Sequence, residues 1–301
     1  MRLFLLPIST RRALIYCERV QQQLSPGQSA PILDRVINKA SETWIQWERK
    51  EKGWQKKLTD YGNQLFKRIP YEEWGLKSLP PATKRRLEEI DSGKLQFECL
   101  YPNAFLKGSK VLEVIKTLAV ERQALHRKKM WQSIAWMPIT IPFAIVPVIP
   151  NIPFFYCCFR AYSHYRALYG GKLLEHLTSK DLVRVAASPQ MNEMYTAGLL
   201  HPTRKASREA RRPTETETEQ VARVIEAQTN NDQEDVMVLQ RWNGKLIAEA
   251  FHLPEMEVEI ERAVEQVEKA IEKEKTELDD EKQEIMKATE RKRDMKNPEA
   301  R

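Results

Sequence analysis

Acidic residues are missing from a long central part of this sequence. No Asp or Glu occurs between Glu121 and Glu175, although 30% of the 301 residues are charged. Inside that interval, residues 131–159 carry no charge and read WQSIAWMPITIPFAIVPVIPNIPFFYCCF. An uncharged apolar run of this length predicts insertion into a membrane. The alternative is a buried core hairpin of a soluble protein.

Cysteine is scarce, and the common catalytic motifs are absent. Of four cysteines, Cys17 and Cys99 are isolated, while Cys157 and Cys158 are adjacent. No Cys-x-x-Cys or zinc spacing occurs, which excludes a disulfide framework and agrees with a reducing compartment. G-x-x-x-x-G-K-[ST], G-x-G-x-x-G, H-E-x-x-H and G-x-S-x-G are missing too. The five histidines show no ligand spacing. We therefore predict no catalytic, cofactor-binding or metal-binding residues, and a protein that is not an enzyme.

Prolines interrupt the apolar run and argue against one straight helix, because each removes a hydrogen-bond donor and crowds the preceding turn. The sequence PVIPNIP at residues 147–153 predicts a turn. We therefore expect a transmembrane helical hairpin with arms near 129–148 and 153–170. A single kinked span is the alternative. Arg160 and His164 in the second arm are expected to reach the membrane interface or to face protein.

The candidate functional positions all lie in this run or just after it. They are Trp131, Trp136, Pro138, Thr140, Pro142, Pro147, Pro150, Asn151, Pro153, Arg160 and His164. Basic residues flank the run on both sides, which predicts that both termini face the same compartment.

The N-terminus has two interpretations. MRLFLLPISTRRALIYC contains three arginines and no acidic residue, as a mitochondrial presequence does. Residues 3–6 also suit a short strand, and Thr10 suits the N-cap of a following helix. Both interpretations stay open from the sequence.

Charge divides the chain into a basic and an acidic part. Residues 1–214 hold 35 Lys and Arg against 18 Asp and Glu, whereas residues 215–301 hold 14 against 24. The basic part suits an anionic lipid surface or nucleic acid. No aromatic residue is interleaved with the basic run at residues 204–212, which argues against nucleic acid as a partner.

The pattern of residues predicts four regions. Residues 1–107 form a small α/β unit with a strand at Arg2–Pro7, helices at 10–23 and 31–58, and a strand at 94–101 that pairs with the first. Residues 108–200 contain a helix leading into the membrane, the hairpin and an exit helix. A mobile linker follows at 201–218.

The acidic tail, residues 219–301, ends in a long helix from Pro254 with heptad-spaced apolar residues. Positions a and d are Ile260, Val264, Val267, Ile271, Leu278 and Ile285. This spacing predicts a weak coiled coil; in the distal half, a solvated charged helix is the equal alternative.

Several unusual strings resemble the fungal mitochondrial potassium–proton exchange-related family. They are LLPIS at residues 5–9, RIPYEEWGL at 68–76, HRKKMW at 126–131 and PVIPNIP at 147–153, with Arg160-Ala161 after them. The resemblance covers about residues 1–200. It implies a mitochondrial inner-membrane protein linked to potassium–proton exchange and organelle volume. For such a protein, the basic flanks of the apolar run predict that both termini face the matrix.

The expected fold class is therefore a mainly α membrane protein with a small α/β unit, a Pro-rich transmembrane hairpin and a long charged C-terminal helix. Exchange of K⁺ and H⁺ needs a titratable acid or a carbonyl-lined site at membrane depth, and the hairpin has no Asp or Glu. We therefore expect a subunit or regulator of an exchanger. The expected partners are the lipid bilayer and either further copies of the chain or other inner-membrane exchanger subunits. A membrane-anchored assembly or tethering factor is the alternative, and no cofactor is expected.

Overall fold

The computed structural model describes residues 1–18, 39, 42–142, 151–230 and 233–296. The described chain is mostly helical and contains one small sheet. Its strands are β1 (Arg2–Pro7), β2 (Ala13–Cys17), β3 (Phe97–Tyr101) and β4 (Val183–Ala187). Its named helices are α1 (Trp54–Lys67), α2 (Tyr71–Ser78), α3 (Lys84–Asp91), α4 (Gly108–Val120), α5 (Gln123–Thr140), α6 (Ile152–Ser179), α7 (Pro189–Leu200), α8 (Arg204–Glu209), α9 (Glu215–Gln228), α10 (Asn243–Phe251) and α11 (Pro254–Lys296).

The sheet has the strand order β2-β1-β3-β4. β1 pairs with β3 in parallel, with Leu3 opposite Cys99, and β3 pairs with β4 in parallel, with Cys99 opposite Val185. Leu3, Phe4, Leu5 and Leu6 are all fully buried. Since successive side chains of a strand point to opposite faces, β1 is covered on both faces, as its uninterrupted apolar sequence predicts.

The chain divides into two compact units. Unit 1 comprises residues 1–6 and 14–188 and holds the sheet together with α1 to α6. Unit 2 comprises residues 7–13 and 189–301 and holds α7 to α11. The boundaries at 107/108, 200/201 and 218/219 stay predictions.

Glycines allow close helix packing in unit 1. A Cβ at Gly171 of α6 would lie 2.8 Å from the carbonyl oxygen of Ala119 in α4, and a Cβ at Gly170 would lie still closer to the carbonyl oxygen of Leu76 in α2. The Gly-Gly pair therefore lets α6 approach α2 and α4 closely, because no side chain separates the backbones. This packing fixes the position of α2 beside α6.

In unit 2, the loop between β1 and β2 pairs with a distant segment. The amide of Thr10 donates to the carbonyl of Val236 at 2.9 Å, and the amide of Val238 donates to the carbonyl of Ile8 at 3.0 Å. Tyr195 of α7 is buried, and its hydroxyl donates to the carbonyl of Pro7 at 3.0 Å. The loop thus contributes to the core of unit 2, where its backbone groups find partners.

Two secondary-structure predictions for unit 1 are confirmed. The strand at Arg2–Pro7 has the predicted bounds, and its pairing with the strand near residues 94–101 is observed. Three others are wrong. Residues 13–17 form β2 where a helix over 10–23 was expected, and residues 183–187 form β4, although the exit helix was expected to continue from Lys172 to Val185. The helix predicted over 31–58 breaks before Trp54, where α1 begins.

The expected fold class, a membrane protein with a transmembrane hairpin, is wrong. Among the described residues, no helix combines the length and the apolar character needed to cross a membrane. α5 and α6 are antiparallel neighbours, but basic residues interrupt both helices, at 127–129 in α5 and at 160, 166 and 172 in α6. The longest uncharged stretches are therefore residues 130–140 of α5 and 152–159 of α6, whereas a span needs about 20 apolar residues. The predicted turn at Pro147 and Pro150 lies outside the described residues.

The heptad residues of α11 do not support a coiled coil. Ile260, Val264, Val267 and Ile271 are buried within unit 2, where α11 packs against α10. Leu278 and Ile285 are 54% and 59% exposed. The heptad residues in the first half of α11 therefore pack against the rest of unit 2 and not against a second helix of a coiled coil. The distal half of α11 agrees with the alternative of a solvated charged helix.

Candidate functional site

A buried cluster of charged and polar side chains lies between three helices of unit 1. Glu73 comes from the first turn of α2 and His126 from the first turn of α5, while Arg160, Ser163 and His164 come from α6. Residues three and four positions apart lie on the same face of a helix, so the three α6 residues all point toward Glu73. A carboxylate is also favoured in the first turn of a helix by the helix dipole.

Glu73 is the centre of this cluster. Arg160 holds both of its carboxylate oxygens, through Nη1 to Oε1 at 2.9 Å and Nη2 to Oε2 at 3.1 Å. The hydroxyl of Ser163 donates to Oε1 at 2.5 Å. Burial by itself raises the pKa of Glu73, but the hydrogen bond from Ser163 and the positive charge of Arg160 outweigh it, so that the pKa lies below its ordinary value. Glu73 is therefore an ionised, fully paired buried carboxylate.

Hydrogen bonding fixes the tautomers of the two histidines. Arg160 Nη2 lies 2.9 Å from Nε2 of His164, and because a guanidinium only donates, this nitrogen must accept. His164 then carries its proton on Nδ1 and donates it to Nδ1 of His126, 3.1 Å away. His126 in turn carries its proton on Nε2, which is buried and has no hydrogen-bond partner among the described residues. One buried donor is thus unsatisfied, which costs about 1–3 kcal/mol.

Both imidazoles are held in the neutral form. Burial lowers the pKa of His126, and it lowers the pKa of His164 to about 4, although the nearby Glu73 carboxylate acts in the opposite direction. The cluster at neutral pH therefore contains one negative charge on Glu73, one positive charge on Arg160 and two neutral rings. Nitrogen and oxygen atoms of Glu73, His126 and His164 lie within 4.8 Å of one another and could hold a metal ion.

A second feature is the exposed apolar end of the α5–α6 pair, formed by residues 131–142 and 151–156. Trp131, Trp136 and Phe155 are 61%, 58% and 62% exposed. Ile139 and Ile141 are exposed to a similar degree. The basic residues 127–129, one turn before Trp131, are exposed as well. Exposed apolar area with a basic border is typical of an interaction surface.

Asn151 joins the two helices at this end. Its Oδ1 accepts from the amide of Phe154 and caps α6, while its Nδ2 donates to the carbonyl of Thr140 at the end of α5 at 2.6 Å. Thr140 is buried, and its hydroxyl donates to the carbonyl of Met137. Asn151 therefore provides a hydrogen-bond partner both for a backbone amide at the start of α6 and for a backbone carbonyl at the end of α5.

The predicted site residues fall into three groups. Arg160 and His164 belong to the buried cluster and face protein, one of the two arrangements expected of them. A second group of predicted residues lies in the apolar end. They are Trp131, Trp136, Pro138, Thr140, Pro142, Asn151 and Pro153. Pro147 and Pro150 lie outside the described residues. The functional importance of these positions stays a prediction.

The sequence interpretation missed Glu73 and His126. No functional role was assigned to Glu73, and the histidines showed no ligand spacing. The one available signal was on α6, where Arg160, Ser163 and His164 share a face. Their partners lie 87 and 38 residues away along the chain, so no local motif connects them.

The fold and the cluster define a mostly helical protein with a small sheet and with a buried ion pair and two histidines between three of its helices. The family described as mitochondrial K⁺–H⁺ exchange-related matches residues 2–178, and the chain belongs to this family. The uncharacterized protein C23H3.12c of Schizosaccharomyces pombe is 28% identical over 205 residues, which cover 66% of this chain and 85% of that protein. The uncharacterized protein YDL183C of Saccharomyces cerevisiae is 23% identical over 232 residues, which cover 68% of this chain and 72% of that protein. No solved structure matches the chain.

The family assignment confirms the resemblance to the mitochondrial potassium–proton exchange-related family. Its matched residues, 2–178, include the whole buried cluster and the described part of the apolar end. The assignment supports a mitochondrial association and a link with K⁺–H⁺ exchange.

Proposed function

We propose that this protein is a non-enzymatic subunit or regulator of mitochondrial K⁺–H⁺ exchange that acts at the inner membrane. The family membership carries the link with exchange. The role as a subunit or regulator is supported by the missing acidic residues. Residues 131–159 hold no Asp or Glu that could bind K⁺ or relay protons. We expect the ion path to include other chains or further copies of this one.

The apolar end supports contact with an anionic phospholipid surface on the matrix side. Tryptophan and phenylalanine partition into the headgroup region of a bilayer, and lysine and arginine are attracted to anionic lipids. Trp131, Trp136 and Phe155 are exposed, and no acidic residue occurs between Glu121 and Glu175 to oppose this attraction. We propose that the apolar end enters the membrane interface while both termini stay in the matrix.

Ion exchange can be tested in mitochondria that lack the protein. After swelling in potassium acetate, they should fail to contract, because contraction requires K⁺ to leave in exchange for protons. Nigericin, which exchanges K⁺ for H⁺ by itself, should restore contraction. Normal contraction without the protein would contradict a role in exchange.

A pair of matched variants connects the apolar end with exchange. Trp131→Ala together with Trp136→Ala should reproduce the contraction defect if the apolar end brings the protein to the membrane. Trp54→Ala is the control, since Trp54 is 47% exposed but lies on α1, outside the apolar end. Equal contraction by both variants would argue against the proposed role of the apolar end.

An assembly or tethering factor is the second candidate, supported by the exposed distal half of α11. Leu278 and Met286 are each more than half exposed on a charged helix, which is typical of an interaction surface. In that case nigericin would leave the defects of the deletion unrelieved. Removal of residues 272–301 would then abolish function, whereas an exchange regulator acting through unit 1 would retain it.

A further inference from the structure

The three potential metal ligands of the buried cluster come from three helices that are far apart in sequence. Glu73, His126 and His164 are all buried, and the Nδ1 atoms of the two histidines are 3.1 Å apart. Two imidazoles and one carboxylate are a donor set that Zn²⁺ uses in proteins. Nitrogen donors also disfavour Mg²⁺ and Ca²⁺, which prefer oxygen. We propose that Glu73, His126 and His164 form a zinc-binding site that joins α2, α5 and α6.

The metal-free cluster already holds two of the three ligands in the required form. Metal ligation needs a neutral imidazole and an ionised carboxylate. His126 presents the lone pair of Nδ1 toward the cluster, because its proton is on Nε2. Glu73 is ionised, and Ser163 and Arg160 Nη1 both donate to its Oε1. Outer hydrogen bonds of this kind orient a metal-binding carboxylate, whose other oxygen, Oε2, accepts from Arg160 Nη2 in the metal-free protein.

His164 and Arg160 must rearrange when the ion binds. Nε2 of His164 accepts from Arg160 Nη2, so ligation through Nδ1 moves the proton of His164 to Nε2. That proton would face the guanidinium, and Nη2 must therefore leave both His164 and Oε2 of Glu73. Arg160 thus acts in the metal-free protein as the internal cation that balances Glu73, and it competes with Zn²⁺ for the same two side chains.

This competition predicts that one variant binds Zn²⁺ more tightly than the wild type, a result that loss of folding would not produce. Zn²⁺ alone is titrated into the purified full chain by calorimetry, at a pH near 7.5. The wild type should bind one ion, and Glu73→Gln and His126→Ala should each lose it. Arg160→Met should bind Zn²⁺ at least about tenfold more tightly, since removal of a nearby positive charge favours a cation. A variant that had merely lost its structure would bind more weakly.

Two controls separate this site from other zinc-binding groups. His176 lies on the exposed side of α6 and pairs with Asp91, so His176→Ala should bind Zn²⁺ as the wild type does. Cys157→Ser with Cys158→Ser should also leave binding unchanged, and Co²⁺ substituted for Zn²⁺ should show no thiolate charge-transfer band. The proposal is overturned if neither the wild type nor Arg160→Met binds Zn²⁺, or if binding depends on the cysteines.

Discussion

Arg160 on α6 holds both carboxylate oxygens of Glu73 on α2, at 2.9 and 3.1 Å, across 87 residues of sequence. The carboxylate is buried, and the guanidinium is only slightly exposed. An ion pair of this kind need not add net stability, because desolvation of both charges offsets their attraction. Its partners nevertheless depend on each other, since either charge alone would be buried without compensation.

This dependence predicts a large effect of removing either partner. Arg160→Met or Glu73→Gln should lower the free energy of unfolding by about 3–5 kcal/mol, and the double variant should lose less than the sum of the two. Chemical denaturation with a chelator present would measure this. Asp91→Asn is the control, because Asp91 pairs with His176 and Lys180 at an exposed site, where solvent screens the charges, and it should have a much smaller effect. Additive losses at the buried pair would show that the two charges are not coupled.

The buried histidines predict a loss of stability in mild acid. The pKa of His126 is lowered by burial and that of His164 falls to about 4, while both return to about 6.5 on unfolding. The unfolded chain therefore binds more protons, and stability decreases as the pH falls from about 6.5 toward 4. Thermal unfolding of the chelator-treated protein from pH 7.5 to 4.5 would show this slope.

The contribution of His164 can be isolated from that slope. His164→Asn should flatten it, because the substitution removes one of the two titrating rings. His201→Asn should not, since His201 directly follows α7 and lies outside the cluster. An identical slope in both variants would assign the acid sensitivity to other groups. Glu73 affects stability at lower pH. Because its pKa is lowered in the folded protein, its ionised form adds stability, and this stability is lost as the pH falls and the carboxylate is protonated.

Close helix packing at the glycine pair predicts a graded loss of stability. Gly170→Ala should destabilise the chain by more than about 1 kcal/mol, because the added carbon would collide with the backbone carbonyl of Leu76, which cannot rotate away. Gly171→Ala should cost less, since its nearest contact, the carbonyl of Ala119, is 2.8 Å away. Thermal unfolding would rank the two. A stabilising effect of Gly170→Ala, as helix propensity by itself predicts, would contradict the packing described for α6.

Cysteine reactivity should follow burial. Cys99 is buried in β3, and burial raises the pKa of its thiol to about 12. Cys17 is buried as well, whereas Cys157 and Cys158 in α6 are partly exposed. A maleimide should therefore modify Cys157 and Cys158 first, because the thiolate is the reactive form and must be accessible. Mass spectrometry of the native protein would identify the order, and modification of Cys99 before unfolding would contradict it.

The apolar end predicts binding to anionic vesicles. Tryptophan fluorescence should shift to the blue with phosphatidylglycerol vesicles and less with phosphatidylcholine vesicles, and salt should weaken the response. Trp131→Phe with Trp136→Phe should remove most of the shift, while Trp54→Phe should preserve it. No difference between the two lipids would show that the basic residues 127–129 do not contribute.

The sequence by itself determined the local elements and the chemical character of the surfaces. The uninterrupted apolar residues of β1 identified a strand with its correct bounds, and the pairing of this strand with β3 followed from the need of its backbone groups for partners. The unusual strings of unit 1 identified the family, which the comparison confirmed. The strand and the family strings are local features, so the order of residues is enough to define them, whereas the pairing joins distant segments and was predicted only because both strands need partners.

Only the tertiary structure decided the rest. Residues 13–17 suit a helix in isolation, but they form β2 because β1 offers a partner. The apolar run predicted a transmembrane hairpin, whereas its described parts form the ends of two helices that are interrupted by basic residues beyond those ends. Glu73, His126 and His164 show no motif spacing, because three separate helices bring them together. Long-range contacts of this kind depend on how the elements pack, which local sequence patterns do not encode.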